Sequence, residues 1–278
     1  MTKFAKYPNF RDDPDLAPLL TDAVSDDLSI LCEYITDSGK GRLSLDDGVL
    51  ARLNAAADTG TFDPSDRLLL AHEIQLFGGN TLLNIARGHG VVYRVVLEDV
   101  ASRLKVSFSV GDPVSVIENN LLITLAARAW EKMSDGEKSD FLASAGLNSN
   151  LGVGSIALVS LIAAIQTTGF AAYKLAAVIA NTVARQLLGR GLAIGSAAPL
   201  MRGMSTLAGP IGWALNVAWS AYDLTSPGYR VTVPCAIQIA YMRKKQYSAL
   251  CPGCGITASI SAKFCTECGT SLSLKSLR

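Results

Sequence analysis

The sequence predicts an all-α protein, and three observations carry that expectation. From about Pro14 to Glu118, apolar residues recur at spacings of three and four, the signature of helices with one buried face. Helix-start chemistry stands ahead of several of these runs, most clearly at Asp63-Pro64 and Ser134-x-x-Glu137. No alternating strand pattern is sustained before residue 246.

Taken in order, residues 1–14 are punctuated by Pro and Asp and read as an irregular extension. Asp15 is placed to cap a helix carrying Leu16, Leu19, Leu20 and Val24. Asp26 or Asp27 caps the next, with Leu28, Leu31 and Ile35 on one face, and Ser44 to Asn54 gives a third. Asp63-Pro64 opens a helix through Leu69, Leu70, Ile74 and Leu76, which Gly78-Gly79 ends. Gly88-His89-Gly90 breaks the chain again. The run VVYRVVLEDVASRLKV reads as helix despite its valines. Asp112-Pro113 starts a helix through Ile117, Leu121, Leu125 and Trp130, and the Ser134–Glu137 capping box starts a short one. Residues 15–145 thus form an acidic helical domain.

The character changes after residue 145. Phe141 to Tyr173 is 33 positions without a charge, and Gly203 to Tyr222 is 20 more. Between Phe141 and Tyr222 the charges are Lys174, Arg185, Arg190 and Arg202, all basic. Residues 146–245 read as a Gly/Ala-rich apolar helical hairpin and a closing helix entered at Pro234 and ending in the basic cluster Arg243, Lys244 and Lys245. Gly191 and Gly195 are spaced as a small-xxx-small pair, which lets helix backbones approach closely, and Gly209 and Gly212 sit in the second apolar run. Residues 151–173 are long enough to cross a bilayer as one helix, and Trp213 and Trp219 suit a membrane interface. Against that reading stand Gln166, Thr167, Thr168, Asn181, Pro199 and Pro210, and the low transfer energy of Gly and Ala.

Residues 246–278 carry the surest chemistry. Cys251-x-x-Cys254-Gly and Cys265-x-x-Cys268-Gly, ten residues apart, make two knuckles whose thiolates converge on one centre. The pattern is a zinc ribbon. With Cys251, Cys254, Cys265 and Cys268 as ligands, one Zn²⁺ is held in a closed tetrahedral shell, so it is structural. The two remaining cysteines, Cys32 and Cys235, lie in apolar stretches and read as buried free thiols. Thiolates beside free thiols fit a reducing compartment. The N-terminus has no apolar signal core, so a cytoplasmic protein is expected, peripheral to or conditionally inserted at the inner membrane.

Composition narrows the function classes. Hydrophobic residues make up 49% and charged residues 18% of 278, against about 25% charged in an average domain. Residues 1–150 hold 14 basic and 22 acidic side chains, and residues 151–278 hold 11 and 2. The basic half can face anionic lipid, nucleic acid or the acidic half itself. Around the zinc, Phe264 alone offers a face for base stacking, which makes nucleic acid the lesser partner. No phosphate loop or dinucleotide fingerprint is present, because no strand precedes the GRG and GxG triplets. His72, on a helix, reads as structural. His89, between two glycines, with Arg87, Tyr93 and Arg94 nearby, marks a candidate functional turn.

Two stretches resemble the bacterial YaaW family. Phe77-Gly78-Gly79, Arg87 to Gly90 and Tyr93-Arg94 carry the match in the first, and Tyr229 to Pro234 in the second. The resemblance covers roughly residues 14–245, and a Gly-rich apolar stretch lies between the motifs in that family too. It implies a helical fold similar to the ubiquinol–cytochrome c chaperone domain and a bacterial, cytosol-facing protein. It implies no catalytic residues. The ribbon and the acidic N-terminal extension are departures from it.

The leading functional expectation is a non-enzymatic protein that engages anionic membrane through the Gly-rich hairpin and docks a protein partner through the ribbon, as a bacterial defence or stress effector would. The alternative is a soluble chaperone or assembly factor whose apolar hairpin is bundle core or client groove. A hydrolytic enzyme using His89 is the weaker alternative. A homo-oligomer is compatible with each.

Overall fold

A computed structural model describes residues 12–42, 45–78, 90–147, 152–167, 169–192 and 228–251, with 253–254, 257–259, 262–265 and 268–272 in the C-terminal segment. The helices are α1 (Ala17–Asp22), α2 (Ser25–Thr36), α3 (Asp47–Thr59), α4 (Pro64–Phe77), α5 (Tyr93–Arg103), α6 (Val114–Trp130), α7 (Asp135–Ser144), α8 (Ser155–Gln166), α9 (Phe170–Leu188) and α10 (Tyr229–Gln246). Two short strands follow, β1 (Ser248–Leu250) and β2 (Thr257–Ser259), paired antiparallel with Ala249 opposite Ala258. The all-α expectation holds, with the strands confined to the C-terminal segment among the described residues.

Local chemistry explains where several helices begin. The Asp46 carboxylate accepts from Gly48 N at 2.9 Å and Val49 N at 3.1 Å, satisfying two amides that lack helical partners. Asp63 and Asp66 form a reciprocal capping box, as do Ser134 and Glu137. Two expected caps move. α1 starts after Leu16 rather than on Asp15, and α2 starts at Ser25, ahead of Asp26 and Asp27. Pro234 does not open the last helix; it is buried five residues inside α10, which starts at Tyr229. A mid-helix proline removes one hydrogen bond and crowds the preceding turn, at about 3 kcal/mol. Burial of Val231, Val233, Cys235, Ala236, Ile237 and Ile239 around it outweighs that penalty.

α10 is the axis of the fold. It packs against α9, α2, α6, α5 and α4, so elements of both the acidic and the apolar regions cover it. One hydrophobic cluster runs from Leu16 to Met242, joining the acidic helical region and the apolar region in a single core.

The charge-free segment is bent. α8 ends at Gln166, α9 begins at Phe170, and the two are inclined by 95°. No single described helix is long and apolar enough to cross a membrane, which revises the expectation of one span over 151–173. α9 is interior: Leu175, Ala176, Ala177, Val178, Ile179 and Val183 are all fully buried. Its small residues allow the close approach to α10.

Gly191 is not part of a helix–helix seam. α9 ends at the left-handed Gly189, and Gly191 lies beyond it. A Cβ on Gly191 would collide with the Asn181 carboxamide, whose Oδ1 accepts from Leu192 N at 3.0 Å. Gly195, Gly209, Gly212, Trp213 and Trp219 lie outside the described residues.

Candidate metal centre and buried ionic network

The cysteine knuckles are set by their backbone. β1 leads directly from α10 into Cys251 and pairs with β2. Gly253 N reaches Cys251 Sγ at 3.4 Å, the sulfur-directed turn that a tight knuckle requires. A side chain on Gly253 would strike Thr270. In the second knuckle Gly269 N bonds Cys265 O at 2.9 Å with Gly269 at φ 72°, and Cys265 N bonds Thr270 O at 2.8 Å.

These turns bring Cys251, Cys254, Cys265 and Cys268 together, with all four sulfurs within 4.8 Å of one another. Cys251 and Cys268 sulfurs are 3.6 Å apart, and Cys254 and Cys265 sulfurs 3.7 Å. A tetrahedral ion with metal–sulfur bonds of about 2.3 Å needs sulfurs about 3.8 Å apart. The arrangement therefore fits a bound metal, with four donors and none left open. Thr270 donors beside Cys268, with Oγ1 at 3.1 Å, hold its thiol down at about 6, which favours the thiolate a metal needs. Cys32 and Cys235 are the opposite case. Both are buried and free, and burial pushes the Cys32 thiol up to about 12 and the Cys235 thiol still higher.

The second constellation was not legible as a site. Glu118 on α6 is 2% exposed and bonds the Tyr93 hydroxyl at 3.0 Å and Arg243 Nε at 2.6 Å. Arg243 also donates to Asp15 O at 2.7 Å. Burial raises the Glu118 carboxyl and Arg243 opposes it; burial and the neighbouring Glu118 push the Tyr93 hydroxyl well up. Asp13 closes the far side. Its carboxylate accepts from Tyr93 N at 2.6 Å and from Gln75 Nε2 at 3.1 Å. Asp13 was expected in an irregular extension, yet it is 1% exposed and caps α5 from a distant part of the chain. Glu118 leaves one trace in the sequence: an acid within the apolar stripe of Val114, Ile117, Leu121 and Leu125. Asp13 leaves none.

The basic cluster is turned inward. Arg243 pairs with Glu118, and Lys245 pairs with Asp27 at 2.7 Å. Lys244 Nζ donates to Ile165 O at 2.7 Å and Thr167 O at 2.9 Å, covering the C-terminal carbonyls of α8. Arg190 pairs with Glu33. Among the described residues, Arg190, Arg243 and Lys245 of the second half thus meet acids of the first, as the self-neutralising option expects.

Of the candidate turn, Arg87 and His89 lie outside the described residues. Tyr93 is wholly buried in the ionic network, and Arg94 bonds Glu98 at 3.0 Å and Asp112 O at 2.6 Å. Both act in holding α5. Gly90 has a packing reason: a Cβ there would collide with the Gln75 backbone, where Val91 N bonds Gln75 O at 3.1 Å. Gly78 is likewise closed off by Val96 and Val91.

Residues 69–237 match the family model described as ubiquinol-cytochrome C chaperone. A UPF0174 protein of Helicobacter pylori J99 is 34% identical over 181 residues, covering 65% of this chain and 72% of that protein. A second from the same strain is 35% identical over 182 residues, covering 63% and 87%. The UPF0174 protein YaaW of Escherichia coli K12 is 29% identical over 240 residues, covering 85% and 96%. No solved structure matches. The helices that build the Tyr93–Glu118–Arg243 network span the matched region and its flank, and the chain belongs to the ubiquinol-cytochrome C chaperone family and to the UPF0174 proteins.

Proposed function

We propose that this protein is a non-enzymatic assembly factor or chaperone: its helical body receives a protein partner, and its zinc-loaded ribbon docks beside it. The observation that carries the reading is the outer face of α8. Ile156 is 69% exposed and Val159 64%, with Ala163 exposed one turn on, while Ala157, Leu161 and Ile165 behind them are buried. An apolar stripe at helical spacing on a charge-free element is what a hydrophobic partner surface would cover. The name of the matched family model, a chaperone, supports the same class. The four thiolates, without nitrogen or oxygen donors, suit Zn²⁺ in a structural role, since no coordination position is left for substrate.

The test uses the full zinc-loaded chain and an Ile156→Asp/Val159→Asp variant. Co-isolation with its cellular partner is expected to be lost in the variant, with unchanged Tm. Retained co-isolation would remove α8 from the partner surface. A second reading, contact with anionic membrane, rests on the same stripe within the charge-free segment, and flotation on anionic vesicles distinguishes it. In the assembly-factor reading the protein stays off vesicles, and α9 amides exchange as slowly without lipid as with it.

A further inference from the structure

Lys244 is 8% exposed and takes part in no ion pair among the described residues. Buried charges are ordinarily paired, because desolvation is costly and carbonyl dipoles compensate it only in part. Two of its three ammonium hydrogens are taken by Ile165 O and Thr167 O. Lys244 also lines a cavity of about 290 Å³ between α6, the end of α8 and α10. Glu118 and Arg243 share its base and neutralise each other at 2.6 Å. Ser115, Asn119 and Gln166 line it as well, and their side chains make no hydrogen bond to the described residues. The lining therefore offers one excess positive charge, drawn toward a Glu118 that Arg243 already pairs, with neutral hydrogen-bonding groups around it and little room.

We infer that this cavity binds a small carboxylate, with Lys244 as its ionic partner and Ser115, Asn119 and Gln166 as neutral hydrogen-bonding groups. A single charge on the ligand matches the single excess charge of the lining. A doubly charged phosphate would sit beside the Glu118 carboxylate with the same one cation to offset it. The volume lies at or below the lower end of the range for small-molecule pockets, so the acid has few carbons. Burial, opposed in part by Glu118, holds the Lys244 ammonium down at about 8, a condition in which an added anion gains by stabilising the charged form. The site takes Gln166 from the C-terminal end of α8 and leaves Ile156 and Val159 outside its lining.

The experiment is a titration of the full zinc-loaded chain with propionate, followed by amide NMR, with sodium chloride at equal ionic strength and inorganic phosphate as comparison arms. Saturable shifts of the Asn119 and Gln166 side-chain amides are expected with propionate and not with chloride. Lys244→Met is expected to weaken binding about tenfold or more, the scale of one charge-assisted hydrogen bond. Gln166 is exposed, so Gln166→Leu keeps the fold and decides the matter if Lys244→Met does not fold; it is expected to weaken binding several-fold. Shifts that chloride reproduces, or an unchanged affinity in the variants that fold, would overturn the site. Tighter binding of phosphate than of propionate would overturn the carboxylate assignment.

Discussion

Glu118 and Arg243 show what a buried charge pair does for a helical core. Each alone would carry a desolvation penalty, and together they are satisfied by Tyr93 and the Asp15 carbonyl. Arg243→Met is expected to destabilise the protein by about 3–5 kcal/mol, because it leaves Glu118 uncompensated. Adding Glu118→Leu should recover most of that loss; urea unfolding of the single and double variants checks both. Glu73 gives a pH-dependent case. It is 5% exposed, and burial raises its carboxyl to about 7 from 4.5. The folded state therefore binds the proton more tightly than the unfolded chain, and Glu73 costs stability progressively as pH rises from 4.5 to 7. Glu73→Gln should raise stability by up to about 3 kcal/mol at pH 8 and by little at pH 4.5, read from unfolding midpoints at the two pH values. Gly90 is a steric position. Gly90→Ala drives a methyl into the Gln75 backbone, and a loss of about 1–3 kcal/mol is expected in the same assay.

Among the elements, the ribbon is the one expected to need a bound metal to fold. Among the described residues its buried cluster is Cys251, Cys265 and Leu272, a small apolar core for two three-residue strands. Chelation is expected to remove exchange protection from β1 and β2 and leave the helical circular dichroism of the body in place. The same treatment should expose four fast-reacting thiols, with Cys32 and Cys235 reacting after denaturation. Six fast thiols after chelation would mean the body had opened too. Elements whose signals are local were legible in the sequence. The paired caps at Asp63 and Ser134, the valine-rich helix α5 and the cysteine knuckles all form as their residues dictate. The start of α10 was not, because the pull that keeps Pro234 inside a helix comes from neighbours distant in the chain. The 151–173 stretch is not one straight helix for a related reason. Hydropathy is blind to a 95° bend between α8 and α9, whose junction carbonyls are held by Lys244.

For the whole molecule, the single core from Leu16 to Met242 predicts that residues 12–145 do not fold alone. Without α9 and α10, the buried faces of α2, α4, α5 and α6 lose the axis they pack on. A 1–145 fragment is expected to lack cooperative thermal unfolding, where the full chain shows it. Helical content, the fold class, the thiolate cluster and the family were determined by the sequence alone, since each rests on periodicity, capping or spacing over short stretches. Partnership was decided by the tertiary structure. It set Asp13 under α5, turned Arg243, Lys244 and Lys245 inward, and placed Glu118 against a residue 125 positions away. Which acid meets which base depends on how helices cross in space, and neither periodicity nor composition encodes that crossing.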